Sequence, residues 1–221
     1  MSNGAQRARE ALSPRQVKFL TSTTGECDLE DAVIAFQKSA CLTVDGWPGL
    51  GTQMAMYKAG GPFPIPASRA EVEKLFGSPK WKRVKEGGRA IRWTSKDSPG
   101  KRVRRVQLHN GDSVVLLDDI CDEFAEIFKE ACEASGYTPK SVVGYVPRTI
   151  GLSEDPSYHA YALAVDFDPQ DNPWGGVRAD GSPSLLRQNM AFVDVFESSG
   201  WSWGGRWRKG EGDDMHFERK G

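Results

Sequence analysis

Two distant stretches hold the side chains with the most chemistry, Ser157-Tyr158-His159-Ala160-Tyr161-Ala162-Leu163-Ala164-Val165-Asp166 and Asp213-Asp214-Met215-His216-Phe217-Glu218. The 221-residue chain has only three histidines, and two of them sit here. An imidazole from His159, a carboxylate from Asp166 and a second imidazole from His216 make a ligand set typical of a catalytic zinc, with water in the fourth position. Asp213, three residues before His216, is near enough to that water to act as its proton acceptor and donor. By spacing, His159 and Asp166 fit either two turns of one helix face or a short strand. Val165, Phe167 and Pro169 favour the strand, on which Ala164 and Asp166 share a face. The plain alternative is two ordinary polar histidines and solvated carboxylates.

The first stretch resembles S-x-H-x-x-G-x-A-x-D, and the second resembles the [D/E]-x-x-H that follows it in zinc D-alanyl-D-alanine carboxypeptidases and L-alanyl-D-glutamate endopeptidases. That family includes VanY-like enzymes and many phage endolysins. Ser157, His159, Ala164, Asp166, Asp213 and His216 fall on its positions, and Ala162 stands where glycine is usual. The resemblance, from about Arg69 onward, implies His159, Asp166 and His216 as zinc ligands, Asp213 as catalytic acid/base, and Ser157 on the substrate side. An arginine upstream of the first ligand polarises the scissile carbonyl or holds a substrate carboxylate in these enzymes, a role that falls to Arg148; pairing with a carboxylate such as Asp155 is the alternative. Strand alternation from His216 favours Asp214 as the working carboxylate. The D-x-x-H register favours Asp213, with Gly212 easing the necessary bend.

Composition sets the bounds. A net charge of −1 with 27% charged and 38% hydrophobic residues fits a globular chain of one large or two modest domains. It gives no general attraction to nucleic acid or membrane. No apolar run spans a bilayer, and the first residues lack the apolar core of a secretory signal. Cys27, Cys41, Cys121 and Cys132 form no CxxC pair and read as buried free thiols.

The elements that position these residues follow in chain order. Ser13-Pro14 opens a helix. Asp28 or Asp31 caps a second with Val33, Ile34 and Phe36 on its apolar face, and Thr52 caps a third. Val33, Phe36, Gln37, Leu42, Val44, Asp45, Gly46, Gly49, Thr52 and Ala55 match in register the pattern of a peptidoglycan-binding module that accompanies wall hydrolases. Cys41 replaces its usual glycine and Met56 its usual leucine. Most of these positions are core or turn residues, so the likeness identifies a fold more than a binding surface.

Gly60 to Pro66 has the composition of a linker. The expected organisation is therefore a helical module over 12–60, a linker over 61–66 and a catalytic domain over 67–221. A helix over Arg69–Phe76 opens that domain. Between Lys80 and Arg105 eleven Lys or Arg face only Glu86 and Asp97, either a solvated face or a surface for anionic envelope polymers. Val103–Leu108 and Val114–Leu117 read as a hairpin turning at Asn110-Gly111, with His109 structural. Asp118 or Asp119 caps a long helix ended by Gly136, Ser141–Val146 is a strand delivering Arg148, and Ser182 caps a helix to Ser198. Trp201, Trp203 and Trp207, set among glycines before His216, suggest cleft walls, with Trp203 and Trp207 against substrate.

The fold expected is α+β, a small antiparallel sheet with helices holding a zinc site, preceded by a three-helix peptidoglycan-binding module. The expected function is a zinc metallopeptidase on bacterial peptidoglycan. Its form is a monomeric phage endolysin cutting the L-alanyl-D-glutamate bond, made in the host cytoplasm and reaching the wall after membrane permeabilisation, with neither nucleic-acid binding nor membrane insertion. The alternatives are a D-alanyl-D-alanine carboxypeptidase on the same scaffold and a non-catalytic zinc-containing wall binder. Ser98-Pro99-Gly100-Lys101 formally reads S-x-x-K, but its proline and glycine make a loop and no S-D-N or K-T-G accompanies it.

Overall fold

The computed structural model describes residue 8 and residues 11–84, 88–93, 98–151, 153–207 and 212–219. It divides into two compact units, one from residues up to 71 with 198–200, the other from 72–197 with 201–219.

Among its described residues the first unit includes the helices α1 (Pro14–Thr24), α2 (Leu29–Ser39) and α3 (Leu50–Lys58). Ser13 caps α1 in a capping box with Gln16, and Asp28 caps α2 through the Glu30 and Asp31 amides, which satisfies amides with no partner inside the helix. The third cap differs from expectation. Gly49 is the N-cap of α3, and buried Thr52 lies inside the helix. Leu20, Ala32, Val33, Phe36 and Met56 form the core. Gln37 ties the α2–α3 connection together: its Nε2 donates to Asp45 Oδ1 at 2.8 Å and to the Trp47 carbonyl at 3.0 Å, while its Oε1 accepts from the Asp45 and Gly46 amides. Asp45 thus braces the turn. Phe63 to Pro66 are buried and the Ile65 amide donates to Gln53, so the back of the Gly/Pro-rich run packs within this unit, and the division falls after residue 71.

The second unit is α+β with small antiparallel sheets. After α4 (Arg69–Phe76) come the hairpin of β1 (Pro79–Val84) and β2 (Gly88–Trp93), then β3 (Val103–Gln107) paired with β4 (Ser113–Leu117). The long helix α5 (Asp118–Ser135) ends at Gly136, whose φ of 70° accommodates the left-handed cap. Its N-cap is Leu117, and Asp118 and Asp119 lie in the first turn, pairing with Arg104 on β3 and with Arg102 just before it. Buried Cys121 and Cys132 lie on α5, whereas Cys27 and Cys41 are exposed free thiols, contrary to expectation.

The last sheet has the order β5-β6-β8-β7, from β5 (Val142–Val143), β6 (Ala164–Phe167), β7 (Ser202–Trp203) and β8 (His216–Glu218). β5 is only two residues long where a strand to Val146 was expected. The helix expected to Ser198 is two, α6 (Leu185–Gln188) capped by Ser184, and α7 (Met190–Ser198), parted at Asn189. Phe124, Phe128, Phe167, Phe192, Phe196 and Phe217 pack together beneath this sheet, with ring centroids 5.1–6.4 Å apart. His109 rests over Phe128 at 5.3 Å.

Candidate metal centre

Strand register makes the first contact of the site. β6 and β8 pair antiparallel with Asp166 opposite His216, bringing together residues 50 apart in sequence. His159 arrives from a short 3-10 turn over Tyr158–Tyr161, for which Ser157 is the N-cap, its hydroxyl accepting from the His159 amide at 3.3 Å. Ala162 closes this turn with φ 57°, a left-handed conformation that glycine adopts without strain. The His159 carbonyl accepts from the Val146 amide, and the neighbouring Tyr145 amide donates to Val115 on β4.

The three donor atoms then meet. His159 Nε2 lies 3.1 Å from Asp166 Oδ1 and 3.2 Å from His216 Nδ1, and His216 Nδ1 lies 3.0 Å from Asp166 Oδ1. The opposite nitrogen of each ring has its own acceptor: His159 Nδ1 is 2.7 Å from the Gly144 carbonyl, and His216 Nε2 is 3.3 Å from Glu218 Oε2. Donation at those positions leaves the inward nitrogens free to face a cation when one is bound; without one, the same nitrogens can carry protons and donate to Asp166. Two imidazole lone pairs and a carboxylate oxygen converging within 4.8 Å fit a divalent cation.

Charge in the cluster follows from the same contacts. Burial alone would raise the Asp166 carboxyl, but hydrogen bonds with His159 and His216 outweigh it and hold Asp166 well below the usual carboxylate range. Burial would lower His216, yet the Asp166 and Glu218 carboxylates prevail and lift it to about 9. Glu218 was not singled out in the sequence. The signal was available, because H-x-E on a strand puts both side chains on one face.

Asp213 and Asp214 have unlike surroundings. Asp214 is fully buried, accepting from Arg187 Nε at 2.7 Å, Arg187 Nη2 at 2.8 Å and the Ser184 hydroxyl. Asp213 is half-buried, and its buried Oδ1 has no hydrogen-bond partner among the described residues. Burial pushes its carboxyl upward, with His216 opposing the shift and Asp166 adding to it. A carboxyl held above its ordinary range by burial, beside a candidate cation site, is of a kind suited to proton transfer. Strand alternation does not apply, because Asp213 to His216 form a turn closed by the His216 amide on the Asp213 carbonyl. That turn makes the bend expected of Gly212, whose φ is not positive.

The remaining expected residues are placed as follows. Trp207 is exposed, its ring 5.5 Å from that of His216. Trp203 is buried, its indole N–H donating to the Asp214 carbonyl at 2.8 Å, and so braces the turn from below. Arg148 is exposed, and no hydrogen bond or ion pair joins it to the three clustered residues or to Asp213. Trp174 went unnoticed in the sequence. It is 56% exposed and bridges Asp213 in antiparallel pairing, which puts its side chain on the same face as the Asp213 carboxylate. Its turn is fixed by the Gly175 amide on the Gly212 carbonyl and by Gly176, where an added Cβ would lie 2.3 Å from Arg187.

A two-histidine, one-carboxylate cluster, with a carboxyl beside it that has no hydrogen-bond partner among the described residues, is a donor set of the kind that can hold a divalent cation. A family model described as D-alanyl-D-alanine carboxypeptidase matches residues 151–219, the stretch holding all three clustered residues and Asp213. The match supports a peptidase acting on peptidoglycan. No curated protein and no solved structure matches the chain.

Proposed function

We propose that the chain is a zinc metallopeptidase that hydrolyses the stem peptides of peptidoglycan. The observation carrying this reading is the convergence of His159 Nε2, Asp166 Oδ1 and His216 Nδ1 beside Asp213, whose buried Oδ1 has no hydrogen-bond partner among the described residues. Those three atoms would hold zinc, which when bound supplies a Lewis acid and a water of lowered pKa. Asp213 takes the proton of the attacking water and returns it to the leaving amine. The Gly144 carbonyl and Glu218 hold the two imidazoles in the tautomers that direct lone pairs inward. Trp207 and Trp174 border the site as apolar surfaces for substrate, and the exposed guanidinium of Arg148 is available to a substrate carboxylate.

The L-alanyl-D-glutamate bond, cut in the manner of a phage endolysin with residues 12–60 as a wall-binding module, is the reading that the motif resemblance favours. The match over 151–219 favours D-alanyl-D-alanine carboxypeptidase activity as the second. Mass spectrometry of products from purified peptidoglycan separates them. New amino-terminal glutamate marks the endopeptidase and released D-alanine the carboxypeptidase, while an unchanged digest at saturating zinc refutes both.

A further inference from the structure

The structure divides the basic run of the sequence in two. Arg102, just before β3, pairs with Asp119 of α5, and Arg104 on β3 pairs with Asp118 and Asp122. On the β1–β2 hairpin, Lys80, Lys82, Arg83 and Arg92 make no ion pair among the described residues, and all four are exposed. Lys80 stands directly opposite Arg92, and Arg83 opposite Arg89, which is paired with Glu154. Like charges directly opposite one another on a sheet are destabilising. Every residue of β1 from Lys80 to Val84 is exposed, so burial does not explain the pairing.

The hairpin is also continuous with the candidate metal centre. The Ile91 amide donates to the Pro147 carbonyl at 2.8 Å and the Thr149 amide to the Arg89 carbonyl at 3.0 Å, so the 147–149 segment adds a third strand-like edge. Ala90 bridges Arg148 there, and Lys82 stands opposite Ala90 on the other side. Residues directly opposed across a sheet share a face. Lys82 and Arg148 are therefore on one face, as are Lys80 and Arg92 two positions along. The Ser157 amide donates to the Arg148 carbonyl, which places the turn carrying His159 next to this edge.

We propose that Lys80, Lys82, Arg92 and Arg148 form one cationic face that runs from the site outward and binds the free carboxylates of stem peptides neighbouring the one being cut. This rests on the peptidoglycan reading, and charge complementarity selects the occupant: a polymer whose peptides end in carboxylates meets a face of four cations without an acidic side chain among its described residues. Successive cations on β1 are about 6.6 Å apart, on the scale of alternate residues of an extended peptide. An exposed charge pair changes affinity by a factor of roughly 1.5 to 5, so three together give about tenfold.

The test is co-sedimentation of the full-length, Asp213→Asn chain with purified sacculi, comparing it with the same chain also carrying Lys80→Gln, Lys82→Gln and Arg92→Gln. Neutral substitutions at exposed positions relieve repulsion and leave the fold intact, which circular dichroism checks. The expected result is about tenfold weaker binding for the triple variant on native sacculi and no difference on sacculi whose carboxyls have been amidated. Equal binding of both chains to native sacculi overturns the proposal. So does a difference that persists on amidated sacculi but disappears when phosphodiester polymers are stripped with hydrofluoric acid, since the occupant is then a phosphate polymer. The readout is binding, so absence of any cleaved bond refutes the peptidase reading separately.

Discussion

At the scale of residues, two adjacent aspartates have unlike surroundings, and the proposed function gives the chemistry to Asp213 and a structural part to Asp214. Asp213→Asn is expected to retain zinc and its melting temperature while turnover falls roughly 10²-fold or more, the scale of losing a general acid/base. Asp214→Asn removes a charged acceptor from Arg187 and Ser184 in a buried setting. Its signature is a loss of about 1.5–3 kcal/mol in stability, read by urea unfolding. If Asp214→Asn were the stable, zinc-loaded and inactive variant, the assignment would be reversed. Trp174 gives a separate expectation. Trp174→Ala should raise KM by about 2- to 10-fold with kcat nearly unchanged, the range of one lost aromatic contact, and Trp174→Phe should restore most of it. A fall in kcat at constant KM would exclude a role in holding substrate.

At the scale of elements, two departures from the motifs that the sequence resembles carry backbone strain. Cys41 and Ala162, at positions where those motifs have glycine, both have positive φ, 55° and 57°. Cys41 follows α2 as a left-handed cap, with the Leu42 amide on the Gln37 carbonyl. It is exposed, so its side chain brings no core packing to offset the strain. Cys41→Gly should raise stability by about 0.5–1 kcal/mol, seen as a higher urea midpoint at unchanged slope. A lower midpoint would mean the thiol makes a compensating contact. Ala162 differs, because its methyl group is fully buried and glycine there would trade relief of strain for lost packing.

At the scale of the whole molecule, a metal held by three side chains from separate segments couples binding to folding. His159 comes from a capped turn, Asp166 from β6 and His216 from β8, so unfolding separates them and zinc held there, as proposed, would favour the native state. At a thousandfold excess over its Kd, zinc should stabilise the second unit by about 4 kcal/mol and raise its transition by about 10 °C. His216→Ala should abolish that shift, and chelation should abolish lysis until zinc is restored. A transition in the wild-type chain insensitive to zinc would remove the metal reading itself.

The sequence by itself determined what local chemistry governs. The Ser13 and Asp28 caps, the Asn-Gly hairpin, the long amphipathic α5 and the β6 strand all follow from propensity and periodicity within a dozen residues. The residues that the fold brings together, His159, Asp166 and His216, were readable as candidates from the motif resemblance, which also singled out Asp213. Tertiary structure alone decided which neighbours those side chains face. The tautomers of His159 and His216 depend on Gly144 and Glu218, and the difference between Asp213 and Asp214 depends on Arg187, 27 residues from Asp214. Trp203 and Trp207 look alike in sequence, yet one lies under the turn and the other over His216. The basic run likewise reads as uniform until α5 neutralises one part and the β1–β2 hairpin leaves the other exposed. Each of these outcomes is set by contacts between segments distant along the chain, where burial and partner, not residue type, determine charge and availability.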